Sequence, residues 1–418
     1  MSEKGFTRFN RKAIKVDDAL QSLLPFVSEI EAESVGIMEA IGRRLSQDIQ
    51  TPHPIPHFRR SGYDGYAVRS EDLQNATRQE PVYLNLVDNI PCGEVPSVSL
   101  KEGETARIMT GAMAPDEADT VVMLEATDQV EDNGKTFVKF TKPVKSGANI
   151  TPIGEETQQG EVLLNKGKDI DSGDMAVLSS LGFDNVPVYK KPKVAVLSTG
   201  TELLDVSEPL EPGKIRNSNT YMLAAQIGKS GGEPILIGKF PDDVDVAKER
   251  INNLLHDDEI DIIVTTGGVS VGDYDIMTDI FLNWEGHTLF NKIMMRPGSV
   301  TTAGVFNGKL LFGLSGNPGA CFVGFELFAK PVIDRMIDGA GEHPKITALL
   351  EEDYLKVNAF SRFVRGRYEV KEGKVWTRPV GLDQSSALLS MKDANCLIVI
   401  PPTKTGLKAG EQVEVILL

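Results

Sequence analysis

The stretch DIIVTTGGVSVGDYD, Asp261 to Asp275, is a run of branched apolar residues that stops at two threonines and a glycine pair, then offers Asp273 and Asp275. A short apolar run bounded by glycine predicts a fully buried strand that feeds a tight turn. Working outward, the same grammar recurs from Lys193 onward. KVAVLSTG reads as a strand, SNTYMLAAQIGKSGG as an amphipathic helix, EPILIGKF as a strand and VDVAKERINNLLHD as a helix. KLLFGLSGNPGACFVGFELFAKPVIDRMI repeats strand, Gly/Pro loop and long helix. Strands alternating with helices predict a doubly wound parallel α/β sheet, whose ligands sit beyond the carboxyl ends of the strands.

The chemistry of those ends has a sharp and a plain reading. A glycine pair lets backbone N–H groups approach an anion, and a helix start nearby adds a positive dipole end, so Gly267, Gly268 and Gly272 can cradle a phosphate. Equally, they serve a tight strand-to-helix turn and nothing more. The second loop, Leu314 to Ala320, has the same form and favours a phosphate-bearing ligand. Glu202, Asp242 and Asp243, and Asp273 and Asp275 each follow a strand, so a parallel sheet brings them to one edge. Carboxylates beside a phosphate repel it unless a hard cation such as Mg²⁺ bridges them; singly, each is a helix cap or a solvated charge. Lys292 and Arg296, four apart, are candidates to neutralise an anionic ligand, or a solvated pair.

Composition sets limits. The chain has 418 residues, 41% hydrophobic and 25% charged, which is ordinary for a multidomain globular protein. A net charge of −16 argues against a nucleic-acid partner. Cys92, Cys321 and Cys396 lack any C-x-x-C spacing, so neither a disulfide framework nor structural zinc is expected, and a reducing cytoplasm fits. The segment MSEKGFTRFNRK has no signal-peptide core, and no apolar run is long enough to span a bilayer, so no membrane is expected. His53 and His57 share a helical metal spacing, but the prolines between and around them forbid a helix, and packing is the better expectation. There is no Walker phosphate loop, dinucleotide fingerprint or G-x-S-x-G elbow.

The remaining chain divides by texture. VDDALQSLLPFVSEI has helical periodicity behind a capping Asp17, and GIMEAIGRR is a second short helical pattern. From TPHPIPHF onward the sequence turns to short strands broken by Gly, Pro and Asn. Helical and turn character returns after Asn149. The expected domains are 1–50 with 145–190 as an elongated mixed domain, 51–144 as an inserted β-rich domain, 191–340 as the α/β domain and 341–418 as a β-rich terminal domain.

SGYDGYAV (Ser61–Val68), RIMTGAMAPDEADTVVMLE (Arg107–Glu125), VLSTGTEL (Val196–Leu203), KIRNSN (Lys214–Asn219), TTGGVSVGDYD, GLSGNPGACFVGFELF and DANCLIVIPPTKTGLKAGEQVEV follow in the order and spacing of one family. Over essentially its whole length the chain resembles the molybdopterin molybdenumtransferases, the MoeA proteins, and the matching domain of gephyrin. The resemblance implies a molybdopterin-binding α/β domain and a C-terminal β-barrel. It also implies the last step of molybdenum cofactor synthesis: adenylated molybdopterin takes up molybdate and AMP is released with Mg²⁺. By the same resemblance, Glu202, Asp242 and Asp275 hold the metal, and Asp64, Thr110, Lys292 and Arg296 join them in catalysis. Cofactor contacts fall to Thr199, Gly200, Ser218, Asn219, Gly267, Gly268, Ser270, Gly272, Ser315, Gly316, Asn317 and Pro318. A homodimer is implied, with Asp64 and Thr110 completing the partner subunit's site. A molybdopterin adenylyltransferase upstream and apo-molybdoenzymes downstream are the implied partners.

The chain departs from the family where bacterial members read RRRGED and this one reads TPIGEE, which places Thr151 near a missing arginine and Glu156 for an aspartate. KPGKP is RPGSV here, with Arg296 for one lysine and Ser299 for another, and the methionine of MDGYAV is Tyr63. Arg for Lys exchanges a point charge for a planar fork. Tungstate in place of molybdate, and pterin binding without chemistry, are the alternatives these residues leave open.

Overall fold

The computed structural model describes residues 12–240, 244–268 and 276–418. The chain forms two compact units. One holds the segment up to Ser46, Gly167–Asp171 and Asn185–Leu418; the other holds Gln47–Lys166 and Ser172–Asp184. The first region expected from the sequence thus contributes segments to both.

The opening stretch supplies a central strand of the first unit. Ile262–Thr266, buried throughout, lies between Lys193–Thr199 and Lys309–Leu314, with Glu233–Phe240 beyond Lys193–Thr199, and these four strands run parallel. Alternation sends Val194, Val196, Val264 and Phe312 to one face, against Leu223, Ile227, Phe325 and Phe328 of the helices Asn219–Lys229 and Pro318–Met336. Ala195, Leu197, Ile263 and Leu311 go to the other face, against Ile251 and Leu255 of the helix Val244–Leu255 and Phe281 of Ile276–Asn283. Two antiparallel strands, Thr302–Phe306 and His287–Phe290, extend the expected parallel sheet. Thr302–Phe306 turns into Lys309–Leu314 through Asn307-Gly308, both at positive φ (50° and 83°), a two-residue turn whose twist suits a hairpin.

The terminal region closes on itself. Ser361–Lys371, Lys374–Pro379, Lys345–Leu350, Gln412–Leu417 and Cys396–Ile400 pair in a ring back to Ser361–Lys371, making a five-stranded barrel around Leu350, Val364, Ile398 and Val415. Met295–Arg296 of the α/β region pairs with Ser361 and Arg362 as an added strand. The helix Val16–Leu23 packs Ala19 and Leu23 on the α/β core, but Asp17 does not cap it: Lys15 is the N-cap and Asp17 sits in the first turn, where its charge favours the dipole. The second expected helix shrinks to Ile37–Ala40, because the preceding Ala32–Gly36 pairs as a strand with Asn185–Tyr189. In the second unit, Thr120–Met123, Gly65–Val68, Glu104–Ile108, Val82–Ile90, Lys135–Phe140 and Thr127–Asp132 form one six-stranded sheet, the expected β-rich region.

His343 lies in the segment between the long helix and the barrel. Burial, helped by Lys330 and Lys345 and opposed by the Leu327 backbone and Glu326, pushes its pKa down to about 4. Its folded pKa is therefore below the unfolded value of 6.5, so the unfolded chain takes up the proton first and stability falls as pH drops from 6.5 to 4. Thermal melts of His343→Gln should show a shallower loss over that window than the parent; parallel curves would remove His343 from the acid response.

Candidate functional site

Three strands of the α/β sheet end side by side, and glycine lets their loops touch. A Cβ on Gly267 would lie 2.5 Å from the Thr199 carbonyl oxygen, and one on Gly268 3.0 Å from Thr199 Oγ1. Both glycines also have positive φ, 94° and 65°. Gly267 N–H donates to Leu314 O at 3.0 Å, which joins the loop after one strand to the end of the next. Asn219, 8% exposed, donates from Nδ2 to Thr266 Oγ1 (2.8 Å) and to Gly316 O (2.9 Å). Thr266 Oγ1 passes its own proton to Ser315 O at 3.1 Å. Ser218 is the N-cap of the helix Asn219–Lys229 but makes no side-chain bond there; Asn217 Oδ1 accepts from Thr220 N in the first turn, and Asn217 Nδ2 donates to Ser198 Oγ.

This network leaves polar atoms over. Thr199 Oγ1, Asn219 Oδ1 and Thr220 Oγ1 are buried and have no hydrogen-bond partner among the described residues. Two hydroxyls and an amide oxygen at the ends of parallel strands suit a polar ligand that both accepts and donates. Of the three expected metal carboxylates, Glu202 is described; it folds back so that its Oε2 stands 2.6 Å from where a Gly200 Cβ would be. Asp242 and Asp275, with Asp243, Asp273, Ser270 and Gly272, lie outside the described residues. Among those described, no three His, Cys, Asp or Glu side chains group closely enough to hold a metal. Cys321 touches Thr266 Oγ1, and burial pushes its thiol up to about 12, so it is a neutral packing group.

Beside this cluster is a cavity of about 310 Å³ lined by Arg296, Ser299, Ser315, Asn317, Arg362 and Ser385 among others. Arg296 lines this cavity and Lys292 does not. Only Met295–Arg296 of that segment is strand, and a bond from Met295 N to Ile293 O turns the chain just before it. Arg362, Asp383 and Ser385 were missed from the sequence; the available signal was SRFVRG, an arginine pair inside an otherwise apolar strand. Asp383 Oδ2 accepts from Tyr354 OH (2.5 Å), Arg362 Nε (2.9 Å) and Lys356 Nζ (3.0 Å). Burial pushes the Asp383 carboxyl up, but Arg362, Tyr354 and Lys356 together outweigh it and hold it below its ordinary value. The amides of Gly319 and Ala320, at the start of the Pro318–Gly324 helix, donate to Ser385 O at 2.9 and 3.3 Å. The expected anion contact at Pro318 therefore finds those first helical amides already engaged.

In the second unit Asp64 and Thr110 are hydrogen-bonded to each other. Thr110 donates from N (2.7 Å) and Oγ1 (2.8 Å) to Asp64 Oδ1. The Thr110 amide, then its hydroxyl, with Arg107 adding a weaker pull, hold the exposed Asp64 carboxyl below its ordinary value. Gly65 is required beside it, because a Cβ there would fall 2.1 Å from Val122 O. Half-exposed Tyr63, Met109 and Met123 flank the pair in sequence or pairing register. Thr151 pairs with Arg60, whose guanidinium reaches Glu156 in an exposed ion pair. His53 and His57 pack edge to face, and the His57 ring packs on Phe58.

Comparison with known proteins agrees with this architecture. Residues 14–182 match the MoeA N-terminal region (domain I and II), 195–335 a probable molybdopterin binding domain, and 347–418 the MoeA C-terminal region (domain IV). A molybdopterin molybdenumtransferase of Bacillus subtilis (strain 168) is 44% identical over 98% of this chain and 95% of its own. That of Staphylococcus aureus (strain COL) is 42% identical over 97% and 96%. The crystal structure of the molybdopterin biosynthesis MoeA protein from Pyrococcus horikosii superposes with a TM-score of 0.84 at 33% identity, covering 97% of this chain and 99% of that one. The chain belongs to the MoeA family of molybdenum cofactor biosynthesis, and is thereby a transferase.

Two outcomes follow from this geometry. Asn219→Ala should cost about 1–3 kcal/mol in denaturant unfolding, because Thr266 and Gly316 lose a buried partner. In a carboxylate titration followed by NMR, Thr110→Val should move Asp64 up toward its ordinary value but not fully, since the Thr110 amide still donates; an unmoved titration would mean the hydroxyl contributes nothing.

Proposed function

We propose that this protein inserts molybdate into adenylated molybdopterin and releases AMP. The observation that carries the proposal is the Ser315–Asn317 loop: it faces the partly unsatisfied strand-end cluster and also lines the cavity that holds Arg296 and Arg362. A phosphate-bearing pterin on one side and a tetrahedral dianion on the other would then share one loop. The cavity volume is about ten times a water's share of ~30 Å³, so it admits the oxyanion with part of its hydration. Arg362 and Arg296 supply opposite charge, while Ser299 and Ser385 line the same space in place of a further cation.

In this reading the Thr199 and Thr220 hydroxyls donate to the pterin's phosphate end, Asn219 Oδ1 accepts from an N–H or O–H of the same ligand, and the glycine turns let backbone approach it. Mg²⁺ takes hard carboxylate oxygens, so Glu202 is a suitable donor and would hold it with Asp242 and Asp275; the ion would supply positive charge beside the departing phosphate. Asp64, kept ionised by Thr110, completes the site of a second copy in a homodimer. The support is its exposed, charged position beside the apolar Tyr63, Met109 and Met123, a combination suited to burial under another chain. The reaction takes its substrate from a molybdopterin adenylyltransferase and passes its product to apo-molybdoenzymes, in the cytoplasm. Among the described residues no helix is long and apolar enough to cross a membrane.

The test is AMP release and molybdenum uptake by purified protein given adenylated molybdopterin, Mg²⁺ and molybdate, with tungstate in parallel. Turnover with molybdate is expected. Turnover with tungstate alone would reassign the metal, and binding with no AMP release would make the protein a pterin binder. Arg362→Ala should raise the molybdate concentration needed for half-maximal rate at least tenfold. Asp64→Ala should lower AMP release at least tenfold, and a mixed dimer with Glu202→Ala should recover part of it.

A further inference from the structure

Among the described residues Arg365 is the largest fully buried side chain, 1% exposed, and in its barrel strand it follows Val364 and pairs with Leu397. Its guanidinium spreads in several directions. Nε donates to Ser390 Oγ (2.8 Å), and Nη2 donates to Gln384 O (2.8 Å) and Leu382 O (3.2 Å). Nη1 has no partner among the described residues and faces Gly319, where a Cβ would come within 3.1 Å of it. The two carbonyls it holds flank Asp383, the residue that tethers Arg362. The same loop continues to Ser385, whose carbonyl accepts the Gly319 and Ala320 amides just beyond Asn317. One side chain therefore anchors both walls of the cavity: the barrel wall through Asp383 to Arg362, and the α/β wall through Ser385 to the Ser315–Asn317 loop.

We infer that Arg365 is a positioning residue for oxyanion binding, locking the 382–390 loop between the barrel and the start of the Pro318–Gly324 helix. The inference rests on the oxyanion reading of the cavity given above. Arg365 does not line the cavity and acts through Asp383 and Ser385. Only a planar fork with five donors reaches three acceptors set at these angles; an ammonium of equal charge does not. Gly319 is the other half of the joint, since its missing side chain is what lets the Ser385 carbonyl and the guanidinium approach the helix start together.

The test uses the full-length protein with Arg365→Lys, and Gly319→Ala as a second variant that pushes on the joint from the opposite side. Molybdate binding is measured by calorimetry, adenylated molybdopterin binding separately, and amide exchange across 317–321 and 382–390. Expected for both variants are molybdate binding weakened at least tenfold, pterin affinity within twofold of the parent, and faster exchange in those two segments with the barrel strand 396–400 unchanged. A merely structural lesion would instead weaken both ligands and speed exchange throughout. Molybdate binding within twofold of the parent in both variants, with the two segments exchanging faster, would overturn the positioning role while leaving the cavity reading intact. A parent protein that binds no molybdate, while Arg365→Lys still speeds exchange at 317–321, would overturn the cavity reading and with it the role assigned to Arg365.

Discussion

The α/β half of the molecule depends on how closely the backbone at Gly267 and Gly268 approaches Thr199. A side chain at either position would occupy the space of the threonine's carbonyl or hydroxyl oxygen. Because that space is free, the loops after three neighbouring strands come within hydrogen-bonding reach. Asn219, Thr266 and Ser315 can then link into one chain of donors and acceptors. In a buried setting each such group must find a partner or lose its hydration uncompensated. Those that find none among the described residues, Thr199, Asn219 and Thr220, gather at the sheet edge where a ligand of this fold class sits.

The barrel extends the same logic to charge. Asp383 is held ionised by three donors on one oxygen, and Arg362 is thereby fixed at the cavity wall without being neutralised by a dedicated partner of its own, since Lys356 shares the same carboxylate. With Arg296 the cavity carries more positive than negative lining groups, inside a chain whose net charge is −16. Local excess of one sign against a global excess of the other draws an anion to one place rather than over the whole surface.

Much of this was legible in the chain itself. Apolar runs ending in glycine placed the parallel strands, and motif order gave the family. Asn307-Gly308 also carried a readable hairpin signal, which accounts for the antiparallel strand Thr302–Phe306 that a βαβ reading leaves out. Asp17 misled because a residue with cap chemistry sits two positions past the N-cap, Lys15, inside the first turn.

By itself the sequence determined the strand-turn-helix order, the glycines at the turns, the β-rich second region and the family, because periodicity and turn chemistry are local and motif order survives without coordinates. The tertiary structure alone decided that Ser385 occupies the amides of the Pro318 helix, and that Arg362 and Asp383, backed by Arg365, build one wall of a cavity beside Arg296. Arg296, Pro318, Arg362 and Asp383 are separated by tens of positions in the chain. Closing a barrel and adding Met295–Arg296 to its edge brings them together, and no local pattern encodes which strand pairs with which.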